Sequence, residues 1–184
     1  MKHIATPLTR EAASTLKAGD WLLLNGTIFT ARDQAHKRMF GAIKSGKKLP
    51  IDLRGQIIYY CGPTKTPPGK IIGSCGPTTS SRMDEFTPVL LKAGLTGMIG
   101  KGGRSPEVAR AIKKYKAVYF VTHAGCGALL STFVKKAAAV AYQDLGPEAI
   151  FKLEVENFPL IAAIDARGNN IYRKKRGYYG AYRR

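Results

Sequence analysis

The chain has 184 residues, 45% of them hydrophobic, enough to bury one substantial core and to fit a single domain over 1–184. Its 30 lysines and arginines against 12 acidic residues give a net charge of +18, which suits nucleic acid, an acidic partner surface or anionic substrates. No apolar run reaches the roughly 18 residues of a membrane span, and the start Met1-Lys2-His3-Ile4-Ala5-Thr6-Pro7 lacks an apolar secretory core, so a cytoplasmic protein without membrane contact is expected.

Residues before Gly19 read as an N-terminal arm with one short helix, Arg10 to Lys17. Trp21 to Thr30 places Asn25-Gly26 between two β-prone runs, the pattern of a tight hairpin that delivers Arg32 at its exit. From Asp33 the spacing of Ala35, Met39, Ala42 and Ile43 predicts a helix ending near Gly46. Gln56 to Tyr60 predicts a strand running into Cys61-Gly62-Pro63-Thr64, and the same four letters recur at Cys75-Gly76-Pro77-Thr78 after Lys70-Ile71-Ile72, read as a second strand. Between them Pro67-Pro68-Gly69 is a loop signal.

After Thr79, the apolar residues Met83, Phe86, Leu90 and Leu91 predict helix, with the upstream hydroxyls available as caps and Pro88 breaking the run into two short pieces. Gly97-Met98-Ile99 predicts a strand, followed by the loop Gly100-Lys101-Gly102-Gly103-Arg104 and a helix opened by Ser105-Pro106-Glu107. Ala117 to Val121 reads as a buried strand, and 128–142 as a packed helix of small apolar residues. Phe151 to Phe158 alternates strictly, as a strand with one wet face does. Leu160 to Asp165 and Asn170 to Tyr172, joined through Gly168-Asn169, predict a last hairpin. The expected class is α/β with a single mixed-sheet domain.

The segment Cys75 to Asp84 packs two turn residues, four hydroxyls, one cation and one carboxylate into ten positions between apolar segments. Together with Ala31-Arg32-Asp33-Gln34-Ala35-His36-Lys37-Arg38, Ile99-Gly100-Lys101-Gly102-Gly103 and Thr122-His123-Ala124-Gly125-Cys126-Gly127-Ala128-Leu129, it resembles the C-terminal region of the iron-sulfur class I fumarases and the beta subunits of their two-subunit relatives, tartrate dehydratase included. Those enzymes add water to a dicarboxylate or remove it. The resemblance implies a swivelling β/β/α domain and a hetero-oligomer of alpha and beta chains. Fumarate hydratase is the expected activity, with L-tartrate dehydratase as the alternative.

It also implies residue roles. Arg32 and Arg82 match the family's carboxylate grips, a task suited to arginine because its planar fork donates two parallel hydrogen bonds. Pairing with Asp33 or Asp84 is the competing reading for each. Lys101 and Thr79 are expected to contact substrate, and Thr78 to act as the base that exchanges a carbon-bound proton. A threonine hydroxyl is intrinsically a poor base, so that role demands nearby positive charge. A helix cap or simple donor is the other reading of Thr78, and an exposed lysine that of Lys101. The lysine loop is not a nucleotide phosphate loop: Gly94 and Gly100 are separated by five residues where the pattern needs four, and Gly102 stands where serine or threonine should follow the lysine.

Three cysteines, each beside glycine, cannot all pair within the chain and read as reduced thiols. Three thiolates would suit a cluster with one open iron. The family instead places its [4Fe-4S] cluster on the alpha subunit, so Cys61, Cys75 and Cys126 are expected as small turn or core residues and no metal ligand is expected from this chain. His36 and His123 lack metal-ligand spacing and read as structural. The tail 173–184, where tyrosines interleave with basic residues, suggests a second class of function, a basic nucleic-acid-binding protein. No recognised nucleic-acid motif accompanies that tail.

Overall fold

A computed structural model describes residues 1–173; from residue 174 on, the basic tail lies outside the described residues. The alternation that begins at Phe151 extends into one 15-residue strand, β7 (Ile150–Ile164). At roughly 3.3 Å per residue it is long enough to serve several partners. Four other strands run parallel to one another: β2 (Trp21–Thr30), β3 (Ile57–Tyr59), β4 (Gly97–Gly100) and β5 (Val118–Val121). β7 pairs antiparallel with both β2 and β5 and so closes the five into a barrel. β1 (Lys2–Ala5) adds in parallel to β2, and β6 (Val134–Ala141) adds antiparallel to β7.

Strand periodicity divides the buried residues between two cores. Ile57, Tyr59, Ile99, Val118 and Phe120 face the barrel interior with Leu24, Ile28, Leu153, Val155 and Phe158. Their neighbours Ile58, Tyr60, Met98 and Tyr119 face outward, against α2 (Asp33–Lys44), α3 (Thr87–Lys92) and α4 (Pro106–Tyr115), meeting Met39, Leu90, Leu91 and Ile112. Sheet, sheet and helix layer give the β/β/α arrangement. Burial on both faces explains why β4 and β5 read as continuous apolar runs. α4 starts where its sequence predicts: Ser105 Oγ accepts from Val108 N at 3.2 Å, with Pro106 in the first turn.

Several local expectations are corrected. Asn25-Gly26 makes no hairpin; β2 runs through it with a register shift between Leu24 and Gly26, because β1 and β7 flank it and tertiary pairing outweighs turn propensity. The segment 128–142 is helical only through α5 (Gly127–Thr132) and then becomes β6, drawn into the ladder that β7 offers. Lys70-Ile71-Ile72 forms no strand but lies in a loop closed by Thr64 N to Ser74 O, 3.0 Å, and Ser74 N to Thr64 Oγ1, 2.9 Å. The N-terminal arm contributes β1 as well as α1 (Arg10–Thr15). The break after Thr79 falls between a 3-10 turn (Ser80–Met83) and α3, with Pro88 in the first turn of α3. The final hairpin shrinks to one bridge, Ile164 to Asn170, around a turn knit by the buried Asp165 carboxylate. Among the described residues no helix is long and apolar enough to cross a membrane.

The helix layer is pinned by a buried ion pair. The Arg104 side chain is fully buried, with Nε 2.6 Å from Asp84 Oδ1. Its Nη groups donate to Thr87 Oγ1 at 2.7 Å and Tyr60 Oη at 3.2 Å, and the guanidinium lies 5.3 and 5.0 Å from the Tyr60 and Tyr119 ring centres. Asp84 Oδ2 also accepts from Ser105 N at 2.7 Å, tying the start of α4 to the 3-10 turn. Removing one member of such a pair strands a buried charge, so Asp84→Ala should cost about 3–5 kcal/mol of unfolding free energy. Urea denaturation of the two proteins checks it, and an unchanged midpoint would refute it.

On α2, His36 is wholly buried, and both its backbone N and ring Nδ1 reach the Arg32 carbonyl, at 2.9 and 2.8 Å. A carbonyl only accepts, so Nδ1 carries the proton. Burial lowers the imidazole to about 4 from 6.5, although the hydrogen bond to Arg32 opposes it. A depressed pKa means the unfolded chain binds the extra proton first, so the stabilisation is complete above 6.5 and is lost as pH falls toward 4. Wild type should lose about 3 kcal/mol more than His36→Gln across that window, read from denaturation at a series of pH values.

Candidate functional site

Because β2 to β5 are parallel, their carboxyl ends open on one rim of the barrel, where open α/β sheets bind ligands. Ala31 N donates to Tyr59 O at 3.1 Å, which sets Arg32 beside the end of β3 as α2 begins. At the end of β3, Tyr60 N donates to Ile99 O at 2.8 Å and Tyr60 O accepts from Thr78 N at 2.7 Å. The second Cys-Gly-Pro-Thr turn is thereby docked on the rim. Thr79 and Lys101 form a parallel bridge, and Ser80 N donates to Lys101 O at 3.0 Å. Ser80 Oγ in turn accepts from Lys101 N at 3.1 Å, and the Tyr119 hydroxyl lies 2.8 Å from both Ser80 Oγ and the Gly102 carbonyl. The rim hydroxyl thus locks the lysine loop instead of capping a helix.

Two glycines permit this closeness. A Cβ on Gly100 would stand 2.0 Å from Ser80 Oγ, and one on Gly62 would stand 3.0 Å from Arg32 Cδ, Arg32 Nη1 and the Pro147 carbonyl. Arg32 therefore lies against bare backbone.

The arginines are held by carboxylates. Arg82 Nε donates to Asp33 Oδ1 at 2.8 Å; Asp33 Oδ2 lies 3.8 Å from Arg32 Nε, and Glu148 Oε1 lies 3.7 Å from Arg32 Nη2. Glu148 Oε2 accepts from Gln34 N at 2.8 Å. The contacts to Arg32 exceed hydrogen-bond length, and Arg32 Nε and Asp33 Oδ2 are buried with no hydrogen-bond partner among the described residues. Arg32 keeps donors to offer. Arg82 pairs with Asp33 across the fold and not with nearby Asp84, which serves Arg104.

Arg32 and Arg82 are thus linked through Asp33, while Thr78, Thr79 and Lys101 share the adjoining strand ends. Asp33 was read from the sequence as a pairing partner for an arginine, but not as the link between Arg32 and Arg82. Glu148 carried no signal: it enters from a second 3-10 turn (Gln143–Glu148), 114 residues from Gln34. Ser80 and Tyr119 were equally hidden, since their link needs the β4–β5 pairing.

The fourth motif follows the carboxyl end of β5 and holds the neighbouring turn. Gly127 O accepts from Cys75 N at 3.1 Å, and Thr122 Oγ1 donates to Pro159 O at 2.8 Å. His123 is exposed, its ring 6.5 Å from that of Trp21. Cys61 and Cys75 are buried free thiols. The Cys61 thiol is held well above its ordinary range by its hydrogen bond to Cys75 and by burial. Cys126 is partly buried, and no group of three or more His, Cys, Asp or Glu side chains is set to hold a metal among the described residues. Two arginines, a lysine and two threonines on one rim can bind an anion with more than one carboxylate.

The family model for the fumarase C-terminus matches residues 2–175. The chain is 42% identical over 178 residues to a Methanocaldococcus jannaschii protein provisionally named L(+)-tartrate dehydratase subunit beta, covering 94% of this chain and 91% of that one. It is 35% identical over 175 residues to L(+)-tartrate dehydratase subunit beta of Escherichia coli K12, covering 92% and 86%. Against the anaerobic class I fumarate hydratase of the same bacterium it is 40% identical over 176 residues, 95% of this chain but 31% of that enzyme. It therefore spans most of the beta subunits and less than a third of the fumarase. With the family model matching residues 2–175 and relatives 35–42% identical along nearly its whole length, the chain belongs to the fumarase C-terminus family, among class I fumarate hydratases and tartrate dehydratase beta subunits.

Proposed function

We propose that this chain is the beta subunit of a two-subunit hydro-lyase that interconverts fumarate and (S)-malate. The observation that carries the reading is the Arg32–Asp33–Arg82 linkage on the rim that also holds Thr78 and Lys101. L-tartrate dehydration is the second reading, favoured by the relatives of that name that this chain covers almost end to end.

Arg32 and Arg82 grip the two carboxylates, and Lys101 and Thr79 complete the contacts. On the malate side a proton leaves the carbon next to a carboxylate, and the charge that builds on that carboxylate is met by fixed cationic donors. The Thr78 side chain, its own hydroxyl proton released to solvent under the field of the same cations, receives that proton as an alkoxide. We assign the [4Fe-4S] cluster, and with it the Lewis acid that a substrate hydroxyl requires, to an alpha subunit. The thiols of this chain do not fit such a cluster, since Cys61 and Cys75 are fully buried in the barrel core and, among the described residues, no three His, Cys, Asp or Glu side chains are grouped to hold a metal. The chain alone should be inactive.

An oxygen-free pull-down of the tagged chain from its native extract tests the reading. The eluate should contain an iron-sulfur protein and convert malate to fumarate; activity on L-tartrate alone would move the assignment to the second reading, and nucleic acid without an iron protein would overturn both. In the active complex, Thr78→Val should lower kcat about 10²–10⁴-fold with KM nearly unchanged. Near-normal turnover would remove Thr78 as the base. Arg32→Lys, which loses the planar fork, should raise KM about 10–100-fold, read from initial rates.

A further inference from the structure

We propose that Asp33 is a positioning residue that sets the relation between the two arginine grips and so favours a dicarboxylate over a monocarboxylate; this rests on the hydro-lyase reading above. Asp33 opens α2 directly after Arg32, where two hydrogen bonds from His36 to the Arg32 carbonyl fix the backbone. Its Oδ1 accepts a hydrogen bond from Arg82 Nε at 2.8 Å. That bond engages Nε and leaves the Nη pair of Arg82 to present an end-on fork. Arg82 is otherwise a half-exposed side chain at the end of a short 3-10 turn, with many rotamers open to it. Asp33 Oδ2, 3.8 Å from Arg32 Nε, keeps that guanidinium close without spending its donors on a hydrogen bond. One carboxylate thus contacts both grips, while Glu148, 3.7 Å from Arg32 Nη2, flanks only one of them.

The sign of its charge makes the role testable. On Coulomb grounds alone, a carboxylate between two arginines weakens their attraction for a dianion, so its removal should tighten binding. If Asp33 positions the arginines, its neutralisation should weaken binding instead. The loss should fall on ligands that need both grips and spare those that need one.

The experiment uses the complex isolated without oxygen from host cells carrying the tagged chain, with succinate and butyrate as competitive inhibitors of its turnover. Asp33→Asn should raise the succinate inhibition constant about tenfold while the butyrate constant changes less than about twofold, with KM affected more than kcat. Asp33→Glu keeps the charge but displaces the carboxylate by one methylene, and should weaken succinate in the same selective way even if the Asn variant fails to assemble. Succinate binding that is unchanged or tighter in both variants would overturn the positioning role, as would parallel weakening of succinate and butyrate. A wild-type complex that neither turns over malate or tartrate nor binds succinate would instead remove the hydro-lyase reading, and this proposal with it.

Discussion

Closure of the barrel by β7 is the constraint on which the rest depends. Four parallel strands could form an open sheet, but its edges would leave unpaired backbone groups. β7 meets both edges, pairing with β2 through Trp21 to Phe29 and with β5 through Tyr119 to Val121. The result is an enclosed apolar interior whose residues include Tyr59, Phe120 and Phe158. It also fixes all four carboxyl ends on one rim. Residues far apart in the chain, Arg32, Thr78 and Lys101, are brought to one place by strand direction before any side chain contributes.

At that rim the design is one of close backbone approach and partly neutralised cations. Gly62 and Gly100 remove the Cβ atoms that would otherwise hold Arg32 off the strand ends and Ser80 off the lysine loop. Asp33 and Glu148 flank Arg32 at distances too long for hydrogen bonds, so its charge is moderated while its donors stay unspent. A bare cluster of cations would repel itself. A fully hydrogen-bonded one would have nothing left for a substrate carboxylate.

Behind the rim, the Asp84–Arg104 pair joins the 3-10 turn, α3, α4 and two tyrosines of the sheet. Buried ion pairs are weak contributors to net stability, and their effect is on which arrangement forms. Here the arrangement is the placement of the segment that carries Thr78, Thr79 and Arg82. Use of Asp84 for Arg104 leaves Arg82 to reach Asp33.

The sequence by itself determined the α/β class, the starts of α2 and α4 and the strands β3, β4 and β5, because periodicity, capping and side-chain type are local properties. Local pattern failed where the tertiary ladder decided. Asn25-Gly26 has turn chemistry yet lies within β2, and the alanine-rich stretch after Thr132 has helical chemistry yet pairs with β7. Only the folded chain could show that Arg82 answers to Asp33 and not to Asp84, or that Glu148 and Ser80 belong to the site. Those contacts join residues separated by tens to more than a hundred positions, and strand order, which no local spacing encodes, is what brings them within reach.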